Sequence, residues 1–211
     1  MSKIKPRFII GIDPDVEKSG IAFLDVEKRC FEPVKSLSFP ELMMYINGLH
    51  VSEQIGSVPL KETIAIVIED SDSTTNWHLS SKTNARTAAA IGHGSGLCHA
   101  TQRHIKEWCE HLGFTVVLQH PLKKCWMGRD GKITQEEIMQ FIPDLPKRIN
   151  QECRDACLLA WNYANLPIWI PADFYNKKFD KEQIKKNALD EFKKKTEKEG
   201  EFLLLAGLKK K

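Results

Sequence analysis

The sequence predicts a mixed α/β fold, in which a five-stranded sheet is flanked by helices and followed by a lysine-rich helical tail. Three strand-like segments follow one another near the start of the chain, which is typical of an antiparallel meander. Two later β-branched segments are separated by helical patterns, and this order favours parallel strands joined by crossover helices. With 211 residues, 42% of them hydrophobic and 28% charged, the chain can bury one sizeable core.

The first three strands are predicted from their apolar patterns. RFIIGID (7–13) is apolar on both faces and indicates a central strand. After the polar turn PDVEKSG, the segment GIAFLDV (20–26) is predicted to pair with it as a hairpin. CFEPVKSLSF (30–39) is expected to be an edge strand, because Pro33 cannot donate a hydrogen bond to a ladder. A short helix through ELMMYINGL is expected next.

The middle of the chain supplies the other two strands and a long helix. TIAIVIE (63–69) is β-branched, continuously apolar and ends on an acid, so it is predicted to be a second central strand. A helical pattern runs from about Thr83 to Leu112, and Gly113 is placed to end it. FTVVLQH (114–120) is predicted to be the fifth strand.

Two helical patterns close the core. The segment from Thr134 to Glu137 matches a capping box, which opens a short helix through Phe141. NQECRDACLLAWNYANL (150–166) is amphipathic and is predicted to be the last core helix. Its apolar positions are Ala156, Leu159, Ala160 and Tyr163.

A change in composition divides the chain. We expect one domain at residues 1–170 and a basic, loosely attached tail at residues 171–211, helical across 180–199. From residue 176 onward there are twelve lysines and seven acids, although the net charge of the whole chain is only +3. A basic arm of this kind either contacts nucleic acid or is a solvated charged helix, and the sequence leaves both interpretations open.

Six cysteines lie along the chain without a CxxC pair, which is typical of reduced thiols in a cytosolic protein. The chain has no apolar stretch of the ~20 residues that span a bilayer and no signal-peptide pattern, so a cytoplasmic location is expected. Zinc is not expected, because the thiol and imidazole groups of one helical segment would point in several directions. These groups belong to Cys98, His99, His104, Cys109 and His111.

Both predicted central strands end on a carboxylate, Asp13 and Glu69. If the strands are parallel neighbours, these acids meet at the carboxyl edge of the sheet, where open α/β sheets place their ligands. Glu152 and Asp155 are three residues apart and share one face of the last helix. Four converging carboxylates would repel one another unless a hard divalent cation bound them. Spacing alone leaves open the alternatives of a solvated strand end and the wet face of an amphipathic helix.

Four motifs resemble those of RuvC-type Holliday-junction resolvases, which belong to the ribonuclease H-like superfamily. IIGIDPDVEKSGIAFLD (9–25) resembles the opening strand, acid and hairpin of that family. IVIED (66–70) resembles its second acidic strand end, and ECRDACLLAW (152–161) resembles its closing helix. GRDGKITQEEIMQFI (128–142) is similar to the loop and helix before it. The four motifs occur in the family's order and cover residues 7 to about 166.

The resemblance implies a fold, an activity and a set of residues. It implies that Asp13, Glu69, Glu152 and Asp155 are catalytic and bind two Mg²⁺ or Mn²⁺ ions, and that Lys132 assists catalysis. It further implies a homodimer, joined through the small-residue helix near residues 88–100, that nicks both strands of a four-way DNA junction. No nucleotide cofactor and no membrane are expected. The residues expected to contact DNA are Trp77, Arg86, Lys123, Lys124 and Lys132.

The chain departs from the family pattern at several positions. Asp15 stands where the family prefers Gly, and Gln135 stands where many members have a Lys, which leaves the identity of the catalytic lysine open. Asp70 and Asp72 are either auxiliary ligands or turn residues.

Other functions are also compatible with the residues. Another ribonuclease H-like nuclease, acting on RNA or on flap or branched DNA, would share the same acids. A non-catalytic DNA-binding module is a further alternative. A sugar-kinase-like or actin-like ATPase is disfavoured, because such proteins need a duplicated domain and a second phosphate loop.

Overall fold

The main sheet begins with an antiparallel meander of three strands, as predicted. β1 (Phe8–Asp13) pairs with β2 (Ser19–Asp25), and β2 pairs with the edge strand β3 (Cys30–Leu37). The β2–β3 ladder is irregular between Ala22 and Leu24, opposite the part of β3 that contains Pro33. The computed structural model describes residues 6–52, 54–55, 58–59, 63–71 and 84–176.

Helix α1 (Phe39–Val51) follows the meander and begins two residues earlier than predicted. Its start is fixed by a capping box, in which Glu41 accepts from the backbone N–H of Ser38 at 2.8 Å. Two short strands, β4 (Gln54–Ile55) and β5 (Val58–Pro59), pair as a separate antiparallel ribbon that the sequence did not predict.

The two parallel strands flank a long helix. β6 (Ile64–Glu69) is followed by α2 (Ala85–His111) and then by β7 (Thr115–Gln119). Helix α2 ends as expected, because Gly113 has a φ of 84°, which favours a residue without a Cβ.

The last two helices are shorter than predicted. α3 (Gln135–Ile138) ends before Phe141, and Pro143 lies shortly beyond. α4 (Gln151–Tyr163) ends three residues before the predicted Leu166, because Asn165 takes a left-handed conformation with φ of 54°. The predicted capping box of α3 is confirmed: Thr134 and Glu137 bond to each other's backbone N–H groups.

The strand order is β3-β2-β1-β6-β7, with β1, β6 and β7 parallel. This arrangement confirms the predicted fold class, an α/β fold with a mixed five-stranded sheet flanked by helices.

The two faces of the sheet carry separate apolar layers because side chains alternate along each strand. Ile10, Ile12 and Ile66 lie on the face that α1 and α2 cover. Ile9 and Val67 lie on the other face, which α4 covers. The central strands therefore need apolar residues at every position, as their sequences show.

By its internal contacts the chain divides into two compact units, Met1–Ile168 and Trp169–Lys211. In the second unit, residues 172–176 are helical, and the rings of Phe174 and Tyr175 meet edge to face at 5.3 Å. The predicted tail helix at 180–199 lies outside the described residues. Within the described part of the chain, every helix is too short or too polar to cross a membrane.

Candidate metal and phosphodiester site

Two acids lie side by side at the carboxyl edge of the sheet. Asp13 is the last residue of β1 and Glu69 the last of β6, and the parallel register pairs Ile12 with Ile68 just before them. Since side chains alternate, both acids belong to the face of Gly11, which is the face that α4 covers.

Helix α4 reaches this edge because two glycines allow its backbone to lie directly on the strands. A Cβ added at Gly11 would collide with the carbonyl oxygen of Ala156, and one added at Gly20 would collide with that of Glu152. Gly20 is the β2 partner of Asp13 in the ladder. The first turns of α4, which carry Glu152 and Asp155, are therefore held close to the strand ends.

A loop places Lys132 against the same helix. Its ammonium lies 2.9 Å from Asp155 Oδ2. The loop is closed by a hydrogen bond from Gly128 N–H to the Lys132 carbonyl at 2.9 Å. The fully buried Glu137 also holds the loop, because its carboxylate accepts a hydrogen bond from the Met127 N–H at 2.9 Å.

These groups surround one cavity of about 100 Å³. It has an acidic wall from the strand ends and α4, a basic rim from the loop before α3, and an apolar floor. Its lining residues are Asp13, Glu69, Pro121, Leu122, Lys123, Lys124, Trp126, Gly131, Lys132, Ile133, Asp155, Leu158 and Leu159.

Burial and mutual repulsion raise the pKa values of two acids of the cavity. Burial raises the pKa of Asp13 well above its usual range, and the charges of Glu69 and Asp155 raise it further. Burial and the charge of Asp155 likewise raise the pKa of Glu69, while Lys132 opposes both shifts. Burial alone would lower the pKa of Lys132, but its hydrogen bond and ion pair with Asp155 raise it overall. The cavity therefore holds more negative charge than Lys132 compensates.

The residues fit a hard divalent cation in donor type and in charge. Carboxylate oxygens are the ligands that Mg²⁺ and Mn²⁺ prefer, and a cation would offset the repulsion that raises these pKa values. In the described part of the chain, no three His, Cys, Asp or Glu side chains lie close enough together to hold a metal ion. Both oxygens of Asp155 accept hydrogen bonds, Oδ2 from Lys132 at 2.9 Å and Oδ1 from Gln151 at 2.8 Å.

The remaining predicted site residues lie in different places. Lys123 and Lys124 line the cavity, and the charge of Lys124 lowers the pKa of Glu69. Glu152 lies outside the cavity lining, although its charge contributes to the raised pKa of Asp13. Arg86 is exposed in the first turn of α2 and does not line the cavity. Trp77 lies outside the described residues, as does Asp72.

The structure shows what Asp15, Gln135 and Asp70 contact. Asp15 organises the turn after β1, since its Oδ1 accepts from the Glu17 N–H at 2.9 Å. Gln135 points away from the cavity and donates to the Pro146 carbonyl at 3.1 Å, so it does not replace a lysine there. Asp70 extends the β6–β7 pairing through its backbone N–H.

Several residues of the site were not predicted from the sequence. Gln151 lies one helical turn before Asp155, and that spacing could have indicated the contact. Trp126 lines the cavity and stacks on Phe141, a contact that no sequence pattern indicates. Gln119 is the register partner of Glu69, and its buried Nε2 has no hydrogen-bond partner in the described part of the chain.

Among the described residues, the thiol and imidazole groups of α2 form no group of three that could hold a metal ion. Burial raises the pKa of the Cys109 thiol to about 12.

Comparisons with known proteins show similarity in fold alone. No protein-family model matches the chain, and no curated protein sequence does. Among solved structures, Thermus thermophilus RuvC in complex with a Holliday junction substrate aligns with a TM-score of 0.45 and 12% identity, covering 74% of this chain and 92% of that one. Another Thermus thermophilus RuvC structure aligns with a TM-score of 0.43 and 15% identity, covering 74% and 93%. The function proposed below does not depend on these alignments.

Proposed function

We propose that this chain is a metal-dependent endonuclease that hydrolyses DNA phosphodiesters, and that it resolves four-way junctions by paired nicks. The observation that carries the proposal is the cavity where carboxylates from β1, β6 and α4 meet the ammonium of Lys132. Buried acids with raised pKa values are unfavourable for folding and typical of functional sites. The choice of a junction as substrate rests on the four sequence motifs.

The acids have the role of holding the metal. Asp13, Glu69 and Asp155 would bind two Mg²⁺ or Mn²⁺ ions, with Glu152, which lies outside the cavity lining, as a further ligand. When bound, the metal supplies an activated water and stabilises the leaving oxygen of the phosphodiester.

The lysines have the role of binding and orienting the phosphate. Lys132 carries a full positive charge at neutral pH, because its acidic neighbours raise its pKa. Lys123 and Lys124 add positive charge on the same rim of the cavity. The apolar floor, which includes Leu158 and Leu159, lowers the local dielectric and strengthens their attraction to a phosphate.

A homodimer would supply the second nick. The first half of α2 is rich in alanine and glycine and is largely exposed, including Ile91 at 49% and Leu97 at 40%. Small residues permit close approach of another helix. We expect the wild type to sediment as a dimer and Ile91→Glu to sediment as a monomer, whereas a monomeric wild type would contradict this part of the proposal.

The test of the catalytic role is Asp13→Asn, with Asp144→Asn as its matched control at an exposed position outside the cavity. With Mg²⁺, Asp13→Asn is expected to abolish cleavage of a four-way junction while leaving junction binding intact, and Asp144→Asn is expected to cleave normally. Normal turnover by Asp13→Asn would remove Asp13 from the mechanism.

The substrate is tested by comparing a four-way junction, a flap, a linear duplex, a single strand and an RNA–DNA hybrid under one metal condition. Preference for the junction supports the proposal. Preference for the hybrid or the flap would assign the same acids to another nuclease activity, and binding of the junction without cleavage of any substrate would indicate a non-catalytic module.

A further inference from the structure

A row of hydrogen-bonded side chains runs from Lys132 along the first turn of α4. Asp155 accepts from Lys132 on Oδ2 at 2.9 Å and from the Gln151 amide on Oδ1 at 2.8 Å. The oxygen of that amide in turn accepts from Arg154 Nη2 at 2.6 Å. We call this row, which comprises Lys132, Asp155, Gln151 and Arg154, the Arg154 relay.

Arg154 also fastens the two chain segments that flank the site. Its Nε donates to the Ile133 carbonyl at 3.0 Å, next to Lys132, and its Nη1 donates to the Ile149 carbonyl just before α4. All three guanidinium nitrogens therefore donate, each to a different segment or side chain. A lysine has a single nitrogen and could not reproduce this planar arrangement.

The relay fixes the orientation of the Gln151 amide. Because its Oε1 accepts from Arg154, its Nε2 must face Asp155 rather than the reverse. The terminal torsion of an aspartate is otherwise broad, so a donor on each oxygen is what defines the plane of the Asp155 carboxylate.

We infer that Gln151 and Arg154 are positioning residues, which orient the Asp155 carboxylate and hold the Lys132 loop against α4. The inference rests on the proposed function, since Asp155 and Lys132 act there on metal and phosphate. Partners that orient ligands in this way typically contribute about 10–100-fold in metal affinity or activity.

The relay is separate from the packing of the helix. The core side of α4 carries Ala156, Leu159 and Ala160, all buried, whereas Gln151 and Arg154 are partly exposed. Gln151→Leu keeps nearly the same volume and removes both the amide donor and the amide acceptor without opening a core cavity. Its control is Gln140→Leu, the same change at an exposed glutamine outside the cavity.

Two measurements on the whole 211-residue chain test the inference. For Gln151→Leu we expect the single-turnover rate of junction cleavage to fall about 10–100-fold, with junction affinity and thermal midpoint unchanged. Calorimetric titration with Mn²⁺ in the absence of DNA should show a loss of affinity of similar size. Gln140→Leu should match the wild type in both measurements. Arg154→Met should lose cleavage rate and Mn²⁺ affinity, and Arg154→Lys should not restore them.

A double-mutant cycle separates positioning from a general structural role. If Gln151 acts through Asp155, adding Gln151→Leu to Asp155→Asn should cause no further loss of Mn²⁺ affinity. An additive loss would overturn the inference, as would a Gln151→Leu protein that binds Mn²⁺ and cleaves like the wild type.

Failure of the proposed function can be recognised independently. If the wild type cleaves no nucleic acid, crystal structures of the two leucine variants still test the relay. An Asp155 carboxylate rotated away from Lys132 in Gln151→Leu but not in Gln140→Leu supports it. An unchanged Asp155–Lys132 hydrogen bond in both variants would refute it.

Discussion

Gly20→Ala perturbs the distance between α4 and the strand ends. Gly20 pairs with Asp13 in the β1–β2 ladder, and the backbone of Glu152 and Cys153 lies directly over it. An added Cβ would collide with the Glu152 carbonyl group and the Cys153 nitrogen. Because these are backbone atoms, no side-chain rotation relieves the collision, and the first turn of α4 must move outward.

The size of the effect follows from this geometry. An ordinary contact needs about 3.5 Å, so the helix must move by on the order of 1 Å. Overpacking of this kind typically costs about 1–3 kcal/mol, and each kcal/mol lowers Tm by roughly 2–4 °C in a protein of this size. The movement also carries Asp155 away from Asp13. A misplacement of about 1 Å can reduce a rate about 10²-fold, which is the loss of cleavage that we expect.

The assay combines urea unfolding, followed by circular dichroism, with single-turnover cleavage of a four-way junction. Gly48→Ala is the matched control, because Gly48 lies within α1 and a Cβ added there meets no described atom within 4 Å. It should stabilise the protein by about 0.5–1 kcal/mol and leave cleavage unchanged. A Gly20→Ala protein as stable and as active as the wild type would refute the close packing of α4 as the basis of the site.

Three further predictions concern charge and burial. Because burial and the charges of Glu69 and Asp155 raise the Asp13 pKa, ionised Asp13 destabilises the metal-free fold. Asp13→Asn should therefore raise the Tm at neutral pH, and calorimetry should show this gain disappearing as the pH falls through the folded-state pKa; a gain that persists in acid would contradict it. Mg²⁺ or Mn²⁺ should raise the Tm of the wild type more than that of Asp13→Asn, and equal shifts would argue against binding at this cavity. Glu137→Ala leaves two backbone N–H groups without their acceptor and should cost about 2–4 kcal/mol in urea unfolding, against roughly 0.5 kcal/mol for the exposed Glu136→Ala. Similar unfolding midpoints for these two variants would show that the loop does not depend on Glu137.

The sheet could be predicted because its central strands are covered on both faces. FIIGID and IAIVIE are apolar at successive positions, and only helices on both sides of the sheet can bury such strands. The ends of α3 and α4 were less predictable. Both predicted helices are longer than the observed ones, because the backbone beyond each helix follows local turns, such as the left-handed Asn165. The β4–β5 ribbon has only two residues in each strand, too few for an alternating pattern.

The site could be predicted in part. Asp13 and Glu69 were identifiable because each ends a buried strand, and parallel pairing brings such positions together. The place of Lys132 was suggested by the family resemblance and by no pattern in the residues. Its loop depends on hydrogen bonds between distant parts of the chain, such as those of Glu137 and Arg154, which sequence spacing does not reveal.

The contact between Lys132 and Asp155 joins residues 23 positions apart, and their charges alone are too weak to hold it. A partly exposed ion pair contributes only about 0–1 kcal/mol, less than the entropy of ordering a loop of several residues. The loop is instead fixed by the buried Glu137 on one side and by Arg154 on the other. Lys132 is therefore held in place by the surrounding hydrogen bonds, and Asp155→Asn should leave its loop where it is. Because the loop does not depend on the ion pair, Asp155 can exchange Lys132 for another cation without unfolding the rim of the site.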